Sequence, residues 1–161
     1  MAIVLGSRSL SRLEGVHPDL VRVVKRAAAM AARELDFTVL EGVRSAEQCY
    51  INYGKGRTAA QCRAAGVPDR FAAPGAAKVT WLKNPLNSKH CKQRDGLGHA
   101  VDLAPYPIDW NDLHRFDAMA KLVLEAAKIE KVAIRWGADW NSNGKPREKG
   151  ETDSPHFELA R

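Results

Sequence analysis

The sequence predicts an α+β fold in which helices pack on a small, mainly antiparallel sheet. Two stretches with helical apolar periodicity, Pro18 to about Leu35 and Asn111 to about Lys131, supply the long helices. Four short apolar runs, Phe37–Glu41, Gly98–Ala104, Ala133–Trp136 and Pro155–Leu159, supply the strands. With 161 residues, 45% of them hydrophobic, residues 1–161 form one domain whose core needs no covalent staples. No internal repeat or low-complexity run interrupts it.

The opening Met1-Ala-Ile-Val-Leu5 is apolar but stops at Gly6. It lacks a basic leader and is shorter than the roughly 7–15 residue apolar core of a secretory signal. No run approaches the roughly 20 apolar residues of a membrane span. The first helix begins at Pro18, a residue suited to a first turn. Leu20, Val23, Val24, Ala27, Ala31 and Leu35 lie near one face, and Arg22, Lys25, Arg26 and Arg33 occupy mostly the remainder as a solvated surface. His17 reads as a surface residue.

Strand Phe37–Glu41 ends at Gly42, and Arg44 follows directly, placed to face a cleft. Ser45-Ala-Glu-Gln48 matches a capping box for a short helix. Thr58 caps another short helix through Arg63. The Gly54-Lys-Gly56 turn lacks the spacing and trailing Lys-Ser/Thr of a phosphate loop. Pro68 to Lys78 is loop, and Val79-Thr-Trp81 reads as a short strand ended by Asn84-Pro85. Pro105 and Pro107 break the chain after the central strand. Asn111 or Asp112 caps the second long helix, whose buried stripe is Leu113, Phe116, Ala120, Val123, Leu124 and Ala127, with His114 off the stripe. Asp139-Trp-Asn-Ser-Asn-Gly144 is rich in oxygen groups but lacks a bidentate Glu at the calcium-loop offset, so it reads as a turn rim. Trp136 and Trp140 either line a cleft or pack in the core.

The chemistry concentrates in Ser88–Leu103 and Asp153–Leu159. His90, Asp102 and His156 supply the three His and carboxylate ligands typical of catalytic zinc, which leaves a fourth position for water. Strand parity sharpens that choice. Asp102 shares its face with the small Ala100 and Ala104, while His99, Val101 and Leu103 point the other way, so His90 is preferred to His99. His156 and Glu158 share a face opposite Phe157 and Leu159. A further carboxylate near the metal can take the proton from its water, and both Asp153 and Glu151 lie close before His156. Cys49, Cys62 and Cys91 are an odd set without Cys-x-x-Cys spacing. They read as three reduced thiols of a chain made in the cytosol. Cys91 adjoins His90, but the sequence isolates no partnering base of the kind a nucleophilic Cys needs.

Ser88-x-His90, Gly98-x-Ala-x-Asp102 and Asp153-x-x-His156 together resemble the zinc D-alanyl-D-alanine carboxypeptidase and L-alanyl-D-glutamate peptidase family (the LAS-type, hedgehog/D-Ala-D-Ala peptidase-like fold), and within it single-domain phage endolysins. Glu41-Gly-Val-Arg-Ser45 with Gln48, Gly56-Arg-Thr58 and Arg135–Trp140 resemble its other signatures, in order along nearly the whole chain. The resemblance implies zinc on the open face of the sheet, Asp153 as general base and Arg44 as partner of a developing oxyanion or a substrate carboxylate. It also implies Ser88 and Gln48 as substrate-binding residues. One departure stands out: many members separate the first His and the Asp by seven residues, whereas His90 and Asp102 are twelve apart. The extra residues fall within Cys91–Leu97, which contains the turn-favouring Asp95-Gly96; loop closure tolerates such lengthening.

The implied activity is hydrolysis of the peptidoglycan stem peptide, with the L-Ala–D-Glu bond favoured and D-Ala-D-Ala carboxypeptidase the alternative. No separate wall-binding domain and no export signal are expected. The chain would be made in the host cytoplasm, reach the wall after holin-type release and act as a monomer. A net charge of +6 suits anionic wall polymers, outer-membrane lipopolysaccharide or nucleic acid; motif order gives a nuclease no support, so no nucleic-acid partner is expected. A reading of another class is a non-catalytic wall-binding module or a zinc-stabilised structural domain. A structural site would need a fourth protein ligand, for which Cys91 is the one nearby candidate.

Overall fold

A computed structural model describes residues 3–32 and 35–160. The architecture is α+β, as the sequence predicts. Helices α1 (Ser7–Arg12), α2 (Pro18–Met30), α3 (Ala46–Gly54), α4 (Ala59–Ala64) and α5 (Leu113–Glu130) surround strands β1 (Phe37–Glu41), β2 (Ala100–Pro105), β3 (Ile134–Trp136) and β4 (His156–Leu159). The strands form one sheet in the order β1-β2-β4-β3, antiparallel throughout.

One face of that sheet is the core. Val39, Val101, Leu103, Phe157 and Leu159 are fully buried there, against Leu20, Val23, Val24 and Ala27 of α2 and Phe116, Met119, Ala120 and Val123 of α5. Burying each large apolar side chain is worth about 1.5–3 kcal/mol, so this layer dominates stability. Arg26 and Arg22 of α2 reach Glu130 at the end of α5, at 3.0 and 3.5 Å, so part of the basic face is paired across the helices. Helix α2 is shorter than its periodicity suggests. It ends at Met30, Ala31 is already extended, and Leu35 is half-buried beyond the turn; Arg33 lies outside the described residues. Helix α1, which lacks a long apolar stripe, is fastened to β1 by polar contacts: the Ser9 hydroxyl accepts from Val39 N–H at 3.1 Å, and Arg12 donates to the Val39 carbonyl at 2.8 Å.

Asp112 caps α5, accepting from Arg115 N–H, and the buried stripe runs through Phe116, Ala120, Val123 and Ala127. Leu113 departs from the expected stripe: in the first turn it faces outward and is exposed. Ser45 accepts from Gln48 N–H at the start of α3, but the reciprocal half of the box is missing because the Gln48 side chain bonds to Asn52. Thr58 and Gln61 form the full capping box at α4.

Two further expectations fail. Val79–Trp81 forms no strand: the segment is irregular and Trp81 projects into solvent. With no neighbouring strand to pair, its β-favouring residues gain nothing from extension. The cysteines are not all reduced thiols. Cys49 of α3 and Cys91 are disulfide-bonded across 42 residues, and only Cys62 is free and buried. Backbone pairing of Arg44 with Cys91 brings the two together.

Candidate active site

The sheet's other face presents three side chains in a row. Glu41 pairs with Asp102 across β1 and β2, and Asp102 with His156 across β2 and β4. Antiparallel partners point to the same side, so the register, shifted by a bulge between Val39 and Glu41, aligns Glu41, Asp102 and His156. His90 joins from the irregular segment before β2. Its Nε2 is 3.2 Å from Asp102 Oδ1, and His156 Nδ1 is 3.3 Å from the same oxygen. The ligand atoms of the three lie within 4.8 Å of one another.

The second nitrogen of each imidazole is also held. His90 Nδ1 is 2.8 Å from the Gly42 carbonyl, and His156 Nε2 is 2.8 Å from Glu158 Oε1. These acceptors fix the tautomers that leave His90 Nε2 and His156 Nδ1 facing Asp102, the second-sphere support typical of metal-bound histidines. Gly42 cannot carry a side chain, since a Cβ would stand 1.9 Å from the Arg12 carbonyl oxygen. Gly137 is similarly required: a Cβ there would meet the Asp153 carbonyl oxygen at 2.3 Å. That close approach lets Gly137 exchange backbone hydrogen bonds with Asp153 and His156, while Trp136 Nε1 donates to the Ser154 carbonyl at 2.7 Å. Trp136 is therefore a core residue stacked on Phe157, and Trp140 stands by the cleft with its ring 5.4 Å from that of His156.

The donor set fits a metal of the zinc class. Tetrahedral ligands at about 2.0–2.1 Å from zinc stand about 3.3 Å apart, close to the separations around Asp102. Parity is obeyed: His99 points away, and its Nε2 bonds to Asp95 at 2.7 Å. Electrostatics within the group are strongly coupled. Burial opposes ionisation of Asp102, but hydrogen bonds from His156 and His90 outweigh it and hold the carboxyl well below the usual carboxylate range. Burial likewise disfavours the charged His156, yet Asp102 and Glu158 outweigh it and push the imidazole up to about 9.

A cleft of about 350 Å³ opens over the group. Asp153 lines it, with Oδ2 3.9 Å from His156 Nδ1. Although the side chain is half exposed, its carboxyl is pushed up, first by desolvation and then by the negative Asp102, against the pull of His156. Arg44 lines the same cleft, with a bidentate pair to Glu41 at 2.8 and 3.0 Å and a bond to Ser88 Oγ at 3.3 Å. The Glu41 hydrogen bond raises its pKa further, so its charge is permanent. Arg44, Ser88 and Asp153 thus gather around the ligand trio. Gln48 does not line the cleft; it bonds to Asn52, which does. Glu151 is buried outside the cleft lining and accepts from Asn141 N–H at 3.2 Å.

Sequence reasoning missed Arg57 as an organiser of the far wall. It is buried over the Tyr53 ring and donates to the carbonyls of Tyr53 and Thr80 at 2.7 and 3.0 Å, which fixes the cleft segment around Thr80. The Gly56-Arg-Thr58 signature was the available signal.

Comparison with known proteins identifies the family. The family model for phage L-alanyl-D-glutamate peptidase matches residues 1–66 and 74–160. The L-alanyl-D-glutamate peptidase of Escherichia phage T5 is 32% identical over 165 residues, spanning 99% of each chain. Among solved structures, the Serratia marcescens L-Ala D-Glu endopeptidase ChiX is similar with a TM-score of 0.59 and 26% identity, over 96% of this chain and 87% of that one.

Proposed function

This chain belongs to the phage L-alanyl-D-glutamate peptidase family, and on that premise we propose that it hydrolyses the L-Ala–D-Glu bond of peptidoglycan stem peptides as a zinc endopeptidase. The observation that carries the reading is the trio His90, Asp102 and His156, with both outer imidazole nitrogens anchored, at the floor of a cleft that also holds Asp153 and Arg44.

His90 Nε2, Asp102 Oδ1 and His156 Nδ1 would hold the ion. Bound there, zinc polarises the scissile carbonyl and lowers the pKa of water towards about 7. Asp153 takes the proton from the attacking water as the new C–O bond forms, and passes it to the departing amine nitrogen as the C–N bond breaks. Its raised pKa suits a group that must act as base and then as acid. Arg44, held by Glu41, offers a fixed charge to the developing oxyanion or to a substrate carboxylate. Ser88, locked between Arg44 and His90 N–H, presents its hydroxyl to the bound peptide, and Gln48 supports that wall through Asn52.

The protein would work as a monomeric, single-domain endolysin, meeting the wall after holin-type release from the host cytoplasm. The charge of +6 favours contact with anionic wall or outer-membrane polymers. Among the described residues no helix is long and apolar enough to cross a membrane. Digestion of purified peptidoglycan by zinc-loaded protein, with fragments identified by mass spectrometry, tests the reading. New N-terminal D-Glu, absent after chelation, is the expected product. Release of terminal D-Ala alone would make the enzyme a carboxypeptidase, and no cleavage by folded, zinc-loaded protein would favour the binding-module reading.

A further inference from the structure

Outside the cleft, a second pair of imidazoles converges on one carboxylate. His99 Nε2 lies 2.7 Å and His17 Nε2 4.0 Å from Asp95 Oδ2, and the two rings meet edge to face with centroids 5.2 Å apart. Their ligand atoms lie within 4.8 Å of one another, as in the cleft trio. The arrangement repeats that of the cleft, where two imidazoles face Asp102 Oδ1.

The backbone around this cluster is fixed from several sides. His17 N–H donates to the Gly98 carbonyl at 2.8 Å, His99 N–H to the Lys89 carbonyl at 2.7 Å, and Leu159 N–H to the His99 carbonyl at 2.9 Å. Leu97 N–H binds Asp95 Oδ1 at 3.0 Å, which leaves Oδ2 turned to the histidines. His99 is buried while Asp95 is exposed, so an ion has access from solvent. Asp95 also lies in the connection between the cleft ligands His90 and Asp102, which are twelve positions apart.

We propose that His17, Asp95 and His99 form a second divalent-metal site, taking an ion of the zinc class, that clamps this long connection to the start of α2. Two imidazoles and a carboxylate suit zinc and its first-row neighbours, whereas calcium and magnesium prefer all-oxygen sets. Separations of 2.7 and 4.0 Å straddle the roughly 3.3 Å between ligands of tetrahedral zinc, so a small rotation of His17 closes the set. At His99 the Nε2 proton shared with Asp95 passes to the ring's own Nδ1 or, from the doubly protonated ring, to solvent, which leaves a neutral imidazole with Nε2 open. At His17 the change is larger: Nδ1 now accepts from Asp19 N–H at 3.0 Å. Coordination through Nε2 moves the ring proton to Nδ1, so that cap is exchanged for a contact with the Asp19 carboxylate, 3.9 Å away. The exchange makes this the weaker of the two sites. Its role is to position: His99 N–H already holds Lys89, the neighbour of His90.

Equilibrium dialysis against zinc alone, followed by elemental analysis, tests the proposal on the full chain. Asp102→Asn disables the cleft trio and isolates the second site. The wild type should hold about two zinc ions and Asp102→Asn about one, by ligand count. Adding His17→Asn, whose side chain can still cap α2, or Asp95→Asn at an exposed position, should remove one ion from either background. His17→Asn alone should also abolish the rise in melting temperature that follows saturation of the first site. Absence of zinc from Asp102→Asn, or zinc content unchanged by both His17→Asn and Asp95→Asn, would overturn the second site. Circular dichroism of the variants separates lost ligation from lost fold.

Discussion

The two walls of the cleft are built by different means. On one side Asp102, His156 and Glu158 stand on adjacent strands, and the register of β2 with β4 positions them over a core of Val101, Leu103, Phe157 and Leu159. On the other side the lining residues, Ser88, His90 and Thr80 among them, stand on irregular segments and on α3 rather than on a strand of the sheet. His90 is placed by the Gly42 carbonyl, by the Cys49–Cys91 disulfide beside it, and by a wall whose Thr80 hangs from Arg57. One half of the ligand set rests on a cooperative apolar layer; the other rests on a few polar and covalent links, each replaceable singly.

The sheet wall should therefore fail globally. Phe157→Ala removes a fully buried ring behind His156 and should cost about 3–5 kcal/mol, with zinc binding and stability lost together in urea titrations. The loop wall should fail locally. Replacing both Cys49 and Cys91 with Ser should lower stability by about 2–4 kcal/mol and weaken zinc binding through His90, while circular dichroism still reports the sheet and α5. Equal loss of structure in both variants would erase the distinction.

Smaller changes sharpen it. Glu158→Ala releases His156 Nε2 and should weaken zinc binding about 10–100-fold, with little change in secondary structure by circular dichroism. The pH dependence is smaller still per unit. In chelated protein, His156 is raised from 6.5 to about 9. A folded-state pKa above the unfolded value contributes stability that is complete below about 6.5 and lost as pH rises through about 9. Zinc must displace that proton, so its affinity should fall about tenfold for each unit from pH 9 to 7, as calorimetry at several pH values would show.

This division also explains what was legible in the sequence. Strand parity sorted Asp102 from His99 and put His156 with Glu158, because a period of two leaves little freedom once a face is buried. The stripes of α2 and α5 were legible for the same reason, apart from the end of α2 and the first turn of α5, where the core recedes. The loop wall was not. Nothing local in Val79–Trp81 shows that no strand will lie beside it, and nothing near Cys49 identifies a partner 42 residues away. Arg57 illustrates the limit: its Tyr53 carbonyl and ring lie four residues back, but the Thr80 carbonyl it also holds is 23 residues away and leaves no local mark.

The central claim is that metal holding and proton transfer belong to different residues of one site. The most direct measurement is zinc content and stem-peptide cleavage on the same Asp153→Asn sample. The expected result is full zinc occupancy with turnover reduced about 10²–10⁴-fold. Undiminished cleavage, or loss of zinc along with activity, would contradict it.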